Sequence, residues 1–318
     1  MESMDTQILI LAVAFLLDLI FKDPAWLYHP VQAVGALASA LEKTLRRIFK
    51  NKLKIAGAFF LLIQIFFWPI VAIVLARLFY SISPALEFLF WIYLTYSLLA
   101  FGSLIGEVSK VKKFLDNGES EQARKIAQGM VSRDLSDASE REIIRATIET
   151  ATENISDGII APMFYFVLGG PLLMLVYKVL NTLDSMVGYR NQKYTDFGGA
   201  SARFDDLLNF IPSRITGLLI VASAFLLGDS PRGAWRAWMR DGQKGPSPNG
   251  GIPITAFAGA RDISLGGPCL VDGKIIDIPF VGGDKKDFGI EEIGVVLKYI
   301  KLVSTIALIL SCGIMVLS

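Results

Sequence analysis

Two polar strings flank one apolar run, and their side chains are of the kinds that handle metal ions and phosphate. Glu153-Asn154-Ile155-Ser156-Asp157-Gly158 abuts the start of the run 159–180, and Asn181-Thr182-Leu183-Asp184-Ser185-Met186-Val187-Gly188-Tyr189-Arg190-Asn191 abuts its end. Acids this close to a hydrocarbon segment are costly and need a reason to be there. Arg141, Arg145 and Glu149 precede Glu153 and Asp157 at intervals of four, which sets all five on one helical stripe. Carboxylates beside arginines can hold magnesium and phosphate, and a solvated face laced by i,i+4 ion pairs has the same spacing. On a continuing helix Asn181, Asp184, Ser185 and Gly188 share a face, with Gly188 leaving room for a ligand or a neighbouring helix. An interfacial helix end with Tyr189 and Arg190 at headgroup level fits that string equally.

Further along, Arg203, Asp205, Asp206, Asn209 and Arg214 crowd the entry to another apolar run. Asp205 and Asn209 stand one turn apart, and Mg²⁺ is commonly held by one or two carboxylates plus phosphate oxygens. Mutually paired charges are the plainer reading, and Arg214 then wants a partner, for which Asp205 and Asp206 are nearest in sequence. Ser247-Pro248-Asn249-Gly250-Gly251 is a turn whose successive N–H groups could cradle phosphate oxygens, although any Pro/Gly-rich turn has that composition. Gly266-Gly267-Pro268 and Gly282-Gly283-Asp284 are of the same kind. His29, the single histidine, follows Asp23-Pro24 and the belt aromatics Trp26 and Tyr28; it reads as a hydrogen-bonded structural residue or as a general base.

The 318 residues are 53% hydrophobic with a mean hydropathy of +0.50, above the roughly 45–50% apolar share of soluble domains, so the partner is a lipid bilayer. A net charge of +1 from 31 basic and 30 acidic residues gives no field for nucleic acid. One histidine excludes two-histidine metal sites, Cys269 and Cys312 form no C-x-x-C pair, and no P-loop or Rossmann glycine pattern occurs.

These side chains must be positioned by membrane helices. Ile8–Phe21 reads as a retained first helix, and Ile55–Tyr80 is long enough, at roughly 39 Å, to cross a core of about 30 Å. Pro84–Gly106 follows after a short connection, making an antiparallel hairpin. Lys43, Arg46, Arg47, Lys50, Lys52 and Lys54 precede that hairpin and Lys110, Lys112 and Lys113 follow it, so both flanks are cytoplasmic. Residues 107–157 read as a soluble helical insert, with a Ser139-x-x-Glu142 capping box opening a helix to about Asn154. The run 159–180 is interrupted by Gly169-Gly170-Pro171, and 207–228 leaves only about 14 clean residues, short for a crossing. The stretch 229–298 is polar, with a hairpin turn at Val271–Ile275, and Leu302–Leu317 closes the chain as an apolar helix. The expectation is a single membrane domain over 1–318: an all-α polytopic bundle of about four to six segments, some broken or re-entrant, with a small β-hairpin region near the C-terminus.

In order along the chain, D-P at 23–24 with H-P-V at 29–31, E-N-I-S-D-G at 153–158, N-T-L-D-S-M-V-G-Y at 181–189, R-F-D-D-L-L-N at 203–209 with I-P-S-R at 211–214, S-P-N-G-G at 247–251 and L-G-G at 265–267 resemble the cobinamide-phosphate synthase family (CobD/CbiB proteins). The Gly250-Gly251 pair departs from the family pattern, where an alanine is expected. The resemblance implies a cell-membrane ligase of cobalamin (vitamin B12) biosynthesis that joins aminopropanol, or its O-phosphate, to the corrinoid adenosylcobyric acid, using ATP and Mg²⁺. It implies metal or proton-transfer roles for Glu153, Asp157, Asp184, Asp205 and Asp206, with His29 as a further catalytic candidate. Arg190, Arg203 and Arg214 would stabilise phosphate charge, the Ser247, Asn249, Gly250 and Gly251 turn would cradle a phosphate, and Asn154 and Asn181 would contact substrate.

ATP is cytoplasmic, and a simple crossing by 159–180 would set Asp184 on the face opposite Asp157. A broken helix at Gly169-Gly170-Pro171 is therefore expected. The alternatives are a non-enzymatic membrane sensor similar to AmpE-type proteins, and a transporter, for which the chain lacks the usual internal repeat.

Overall fold

Long apolar runs set the architecture of the computed structural model, which describes residues 4–24, 26–189, 191–245, 247–271, 273–285 and 287–317. In chain order the helices are α1 (Met4–Phe21), α2 (Pro30–Phe49), α3 (Leu53–Ile82), α4 (Pro84–Leu98), α5 (Phe101–Asp116), α6 (Ser120–Gln128), α7 (Glu140–Ile155), α8 (Ala161–Val187), α9 (Gly199–Leu227), α10 (Pro231–Asp241), α11 (Gly251–Arg261) and α12 (Glu291–Leu317). Met4–Phe21, Leu53–Ile82, Pro84–Asp116, Glu140–Val187, Gly199–Leu227 and Glu291–Leu317 are long and apolar enough to cross a bilayer. The chain is thus an all-α, multi-pass membrane protein with a small β element near its C-terminus.

Two compact units divide it: residues 1–100, 161–209 and 310–318, and residues 101–160 and 210–309. In the first unit α3 packs on α2, α4 and α8, and α1 packs on α4. Local signals start several of these helices. Ser83 caps α4 with Pro84 at its first position, and His29 caps α2 ahead of Pro30, since a proline there forfeits no intrahelical bond. Lipid-facing apolar side chains such as Phe66, Ile70 and Val74 stay exposed on α3 while Phe60 and Leu61 are buried.

In the second unit α7 begins with the expected capping box, Ser139 and Glu142 each bonding the other's backbone N–H. The helix does not exit at Asn154, however. It passes through a π-helical turn (Ser156–Ile160) straight into α8, so Ser156-Asp157-Gly158 lies on widened helix rather than on a loop. Such turns mark places where function outweighs regular hydrogen bonding.

Other boundaries differ from the expectations. The Pro84–Gly106 run is broken at Leu99, whose extended backbone (φ −85°, ψ 154°) separates α4 from α5; neither Pro nor Gly marks the spot. The segment 207–228 is not short, because α9 starts at Gly199 on polar residues and keeps Pro212 inside it. The polar stretch 229–298 holds two helices, α10, announced by a Ser230 cap and Pro231, and α11. Its strands are β1 (Ser264–Leu265), β2 (Cys269–Val271), β3 (Lys274–Ile276) and β4 (Val281–Gly282), with β1 antiparallel to β4 and β2 to β3. Asp272, in the expected hairpin turn, lies outside the described residues.

Candidate active site

α8 is two helices, not one. Gly169 (φ −158°, ψ 25°) and Gly170 (φ 66°, ψ −162°) break its helical path, and Gly170 occupies a region essentially reserved for glycine. Tyr165 before the break and Tyr177 after it stack with ring centroids 5.1 Å apart. The arm 171–187 therefore runs back along the arm 161–168. Both tyrosines end on α9: Tyr165 Oη donates to the Leu208 carbonyl (2.8 Å) and Tyr177 Oη to Asn209 Oδ1 (2.9 Å).

That arrangement builds a buried polar chain in the first unit. Asn209 Nδ2 donates to Asp205 Oδ2 (2.9 Å) and Asn181 Nδ2 to Asp205 Oδ1 (3.2 Å), so each oxygen of the buried Asp205 carboxylate accepts an amide hydrogen. Asp206, the next residue, is half-buried and Arg203 is exposed. Asp184, half-buried near the end of α8, lays its carboxylate against Gly188, so the space expected beside that glycine is already filled by Asp184 itself. Arg190 lies outside the described residues.

The return of α8 also fixes which neighbours its far end meets. Met186 touches Gly35 on α2. Arg46 of α2 donates to the Lys193 carbonyl (2.7 Å) and lies over the rings of Tyr194 and Phe197, while Phe197 packs on Phe60 of α3. The segment after Asp184 is thus held by the α2–α3 corner, where the basic cluster Lys43–Lys54 sits.

His29 forms one wall of a cavity of about 520 Å³ with Asp23, Trp26, Tyr28, Gln32 and Ser97. Its Nδ1 accepts the Val31 N–H (3.2 Å), which leaves Nε2 facing Asp23 Oδ1 at 3.6 Å. Burial pushes the imidazole below its ordinary value; Asp23 pulls it partly back and the charge of Lys178 adds to the lowering. With Nδ1 accepting, the neutral imidazole carries its proton on Nε2, the nitrogen turned toward Asp23. Tyr93 and Tyr96 hydroxyls donate to the carbonyls of Tyr28 and Lys22 and pin the segment that carries Asp23.

In the second unit the expected partner of Arg214 is corrected. Its Nη1 donates to the Phe210 carbonyl (2.6 Å) and to Asn249 Oδ1 (3.2 Å), and the guanidinium stacks on the Phe210 ring, so Asn249 rather than Asp205 or Asp206 holds it. Asn249 is buried and its N–H is held by Ser247 Oγ (3.2 Å). The Ser247–Gly251 turn opens α11, whose N-terminal dipole suits an anion, although the Ile252 N–H is already taken by the Asn249 carbonyl. Glu153, half-buried, rests its carboxylate against Gly250 at this helix start, and Asn154 Nδ2 bonds back to the Thr150 carbonyl (2.8 Å).

The Arg141-to-Asp157 stripe is not laced by internal ion pairs. Arg145 donates to the carbonyls of Gly266 (2.6 Å) and Pro268 (3.1 Å), and Glu149 takes the Gly266 N–H (2.7 Å) together with Arg133. The stripe clasps the Gly266–Pro268 turn. Arg145 and Glu149 have structural work, which leaves Glu153 and Asp157 as the chemical candidates of α7 and its π turn.

Among the described residues no three or more His, Cys, Asp or Glu side chains gather as a metal cage. The donors present are hard carboxylate oxygens, which fit a Mg²⁺ that takes one or two of them and completes its shell with phosphate oxygens and water. The sequence motifs include Asp23 without a role and do not include Lys178. Lys178 lines an apolar cavity of about 200 Å³ with Val34, Trp68, Leu94 and Leu175, and its charge acts on both His29 and Asp205. A lysine inside the run 159–180 was the available signal.

The family described as CobD/Cbib protein matches residues 11–300. A Cobalamin biosynthesis protein CobD from Geobacter metallireducens is 44% identical over 277 residues, which is 87% of each chain. Proteins of the same name from Clostridium perfringens and Klebsiella pneumoniae are 40% and 36% identical, covering 94% and 95% of this chain and 96% and 95% of theirs. No solved structure matches the chain.

Proposed function

Since the chain belongs to the CobD/CbiB family of cobalamin biosynthesis, we propose that it makes the amide bond between aminopropanol, or its O-phosphate, and the propionate carboxylate of adenosylcobyric acid, with ATP and Mg²⁺. The propionate oxygen attacks the γ-phosphorus of ATP, giving an acyl phosphate and ADP. The amine nitrogen then attacks the acyl carbon, inorganic phosphate leaves, and one proton passes from nitrogen to a base.

The observation that carries this reading is the return of α8 at Gly169-Gly170. It brings the Asp184 string to the α2–α3 corner with the basic cluster Lys43–Lys54, the side that the positive-inside rule makes cytoplasmic and where ATP is available. Arg214, clamped by Asn249 and Phe210, and the N–H groups at the start of α11 hold phosphoryl oxygens. Glu153, beside that helix start, and Asp157 on the π turn serve metal or proton transfer, and Asn154 contacts substrate. Asp184 and Asp206 offer carboxylate oxygens to Mg²⁺, which when bound neutralises triphosphate charge. Asp205, held by Asn181 and Asn209, keeps that end of α8 rigid. Arg203 and Arg190 supply further positive charge for phosphate. His29 is the further candidate to accept the amine proton, at Nδ1, the nitrogen that bears the lone pair.

The test is incubation of the purified, detergent-solubilised protein with adenosylcobyric acid, aminopropanol phosphate and ATP. Amide product with stoichiometric ADP is expected; no product with either amine overturns the reading. Asp184→Asn should lower the rate at least about 100-fold, the scale of losing a positioned charge in the reacting state.

A further inference from the structure

Within the first unit, the Asp23–His29 cavity has a chemistry that the acids and arginines discussed above do not share. Its charged lining group is one carboxylate, Asp23, and among the described lining residues no Lys or Arg appears. A phosphate or carboxylate ligand would meet only like charge there. A divalent ion would find one acid where it needs several oxygens. The remaining walls are aromatic and weakly polar: Trp26 and Tyr28, both largely exposed to the cavity mouth and solvent, with Tyr96 behind them and Gln32 and Ser97 as hydrogen-bonding groups. Carboxylate, aromatic faces and a hydrogen-bond acceptor together select a small organic cation.

We propose that this cavity binds a primary ammonium group, with Asp23 as counter-ion and Trp26 and Tyr28 as aromatic walls. His29 Nε2–H is turned toward Asp23 Oδ1 at 3.6 Å, a second donor beside the carboxylate. The Tyr93 and Tyr96 hydroxyls hold the carbonyls on either side of Asp23, so the carboxylate is positioned before the ligand arrives. A volume of about 520 Å³ is more than a small amine fills, which leaves space for the acyl group it would meet. The proposal rests on the ligase reading for the identity of the amine, which it makes the amine subsite, but not for the binding of an ammonium.

The experiment is calorimetric titration of the purified full-length protein with propylamine and, separately, with its uncharged counterpart propan-1-ol. Propylamine should bind and propanol should not, a comparison that needs no variant. Asp23→Asn should weaken propylamine about tenfold, and His29→Asn, whose side chain can still cap α2, should leave its affinity within about twofold. Equal binding of alcohol and amine, no propylamine binding to wild type, or an unchanged affinity in Asp23→Asn overturns the proposal. Asp23-dependent ammonium binding by a protein that forms no amide would overturn the ligase reading instead and leave this one standing.

Discussion

Tyr165 and Tyr177 stack with ring planes only 14° from parallel and centroids 5.1 Å apart, although an unbroken helix would hold these positions roughly 18 Å apart. The apolar run between the two polar strings is therefore two arms folded back on each other, and their turn is Gly170, at φ 66° and ψ −162°. Gly170→Ala should destabilise the protein by about 1–3 kcal/mol, the cost of a side chain in that region of backbone space. Thermal unfolding in detergent checks this, with Gly199→Ala, where nothing stands within 4 Å of a new Cβ, as the control. Equal stability of the two variants would contradict the turn.

A fusion reporter placed at Asn191 should report the cytoplasm, because Arg46 and Phe60, neighbours of the basic cluster, hold the segment from Lys193 to Phe197. A periplasmic signal would remove Asp184 from the ATP side and with it the proposed chemistry.

Gly250 and Gly251 should respond differently to an added methyl group. A Cβ on Gly250 meets the Glu153 carboxylate, the end of a flexible side chain, whereas a Cβ on Gly251 comes within 2.6 Å of the Gly242 carbonyl, which is backbone. Gly250→Ala should thus fold normally and show its effect in turnover, and Gly251→Ala should lose about 1–3 kcal/mol of stability, as overpacking does. Melting curves alongside rate measurements separate the two.

Arg214→Lys keeps charge but loses the planar fork that stacks on Phe210 and meets Asn249. The KM for ATP should rise about tenfold. Asn249→Ala should cost a similar amount, and the double variant less than the sum, since the residues share one hydrogen bond. Strict additivity would show that they act separately.

The rate should carry an acid limb below the ordinary histidine value of 6.5, because burial lowers the His29 pKa and the base works only when neutral. Lowering pH through that depressed value protonates the imidazole and stops proton acceptance; raising it above 6.5 changes nothing at this group. His29→Asn should cost about 10²-fold or more and abolish the limb. A limb that survives in the variant belongs to another residue.

The sequence by itself determined the class of molecule. Hydrocarbon length and charge asymmetry are local properties, so the runs Ile8–Phe21 and Ile55–Tyr80, inside the helices Met4–Phe21 and Leu53–Ile82, the Ser139 cap and the basic flanks could be read before folding. The glycine–glycine–proline break inside 159–180 was legible for the same reason. Partnership was not, because hydrogen bonds between distant residues leave no mark on spacing. Arg214 turns to Asn249 and not to Asp205; Arg145 and Glu149 clasp the turn at Gly266 rather than each other. Lys178 acts on His29 and Asp205 only because α8 folds back on itself. A break in a helix can be seen in one dimension, but what the returning arm touches is decided by packing in three.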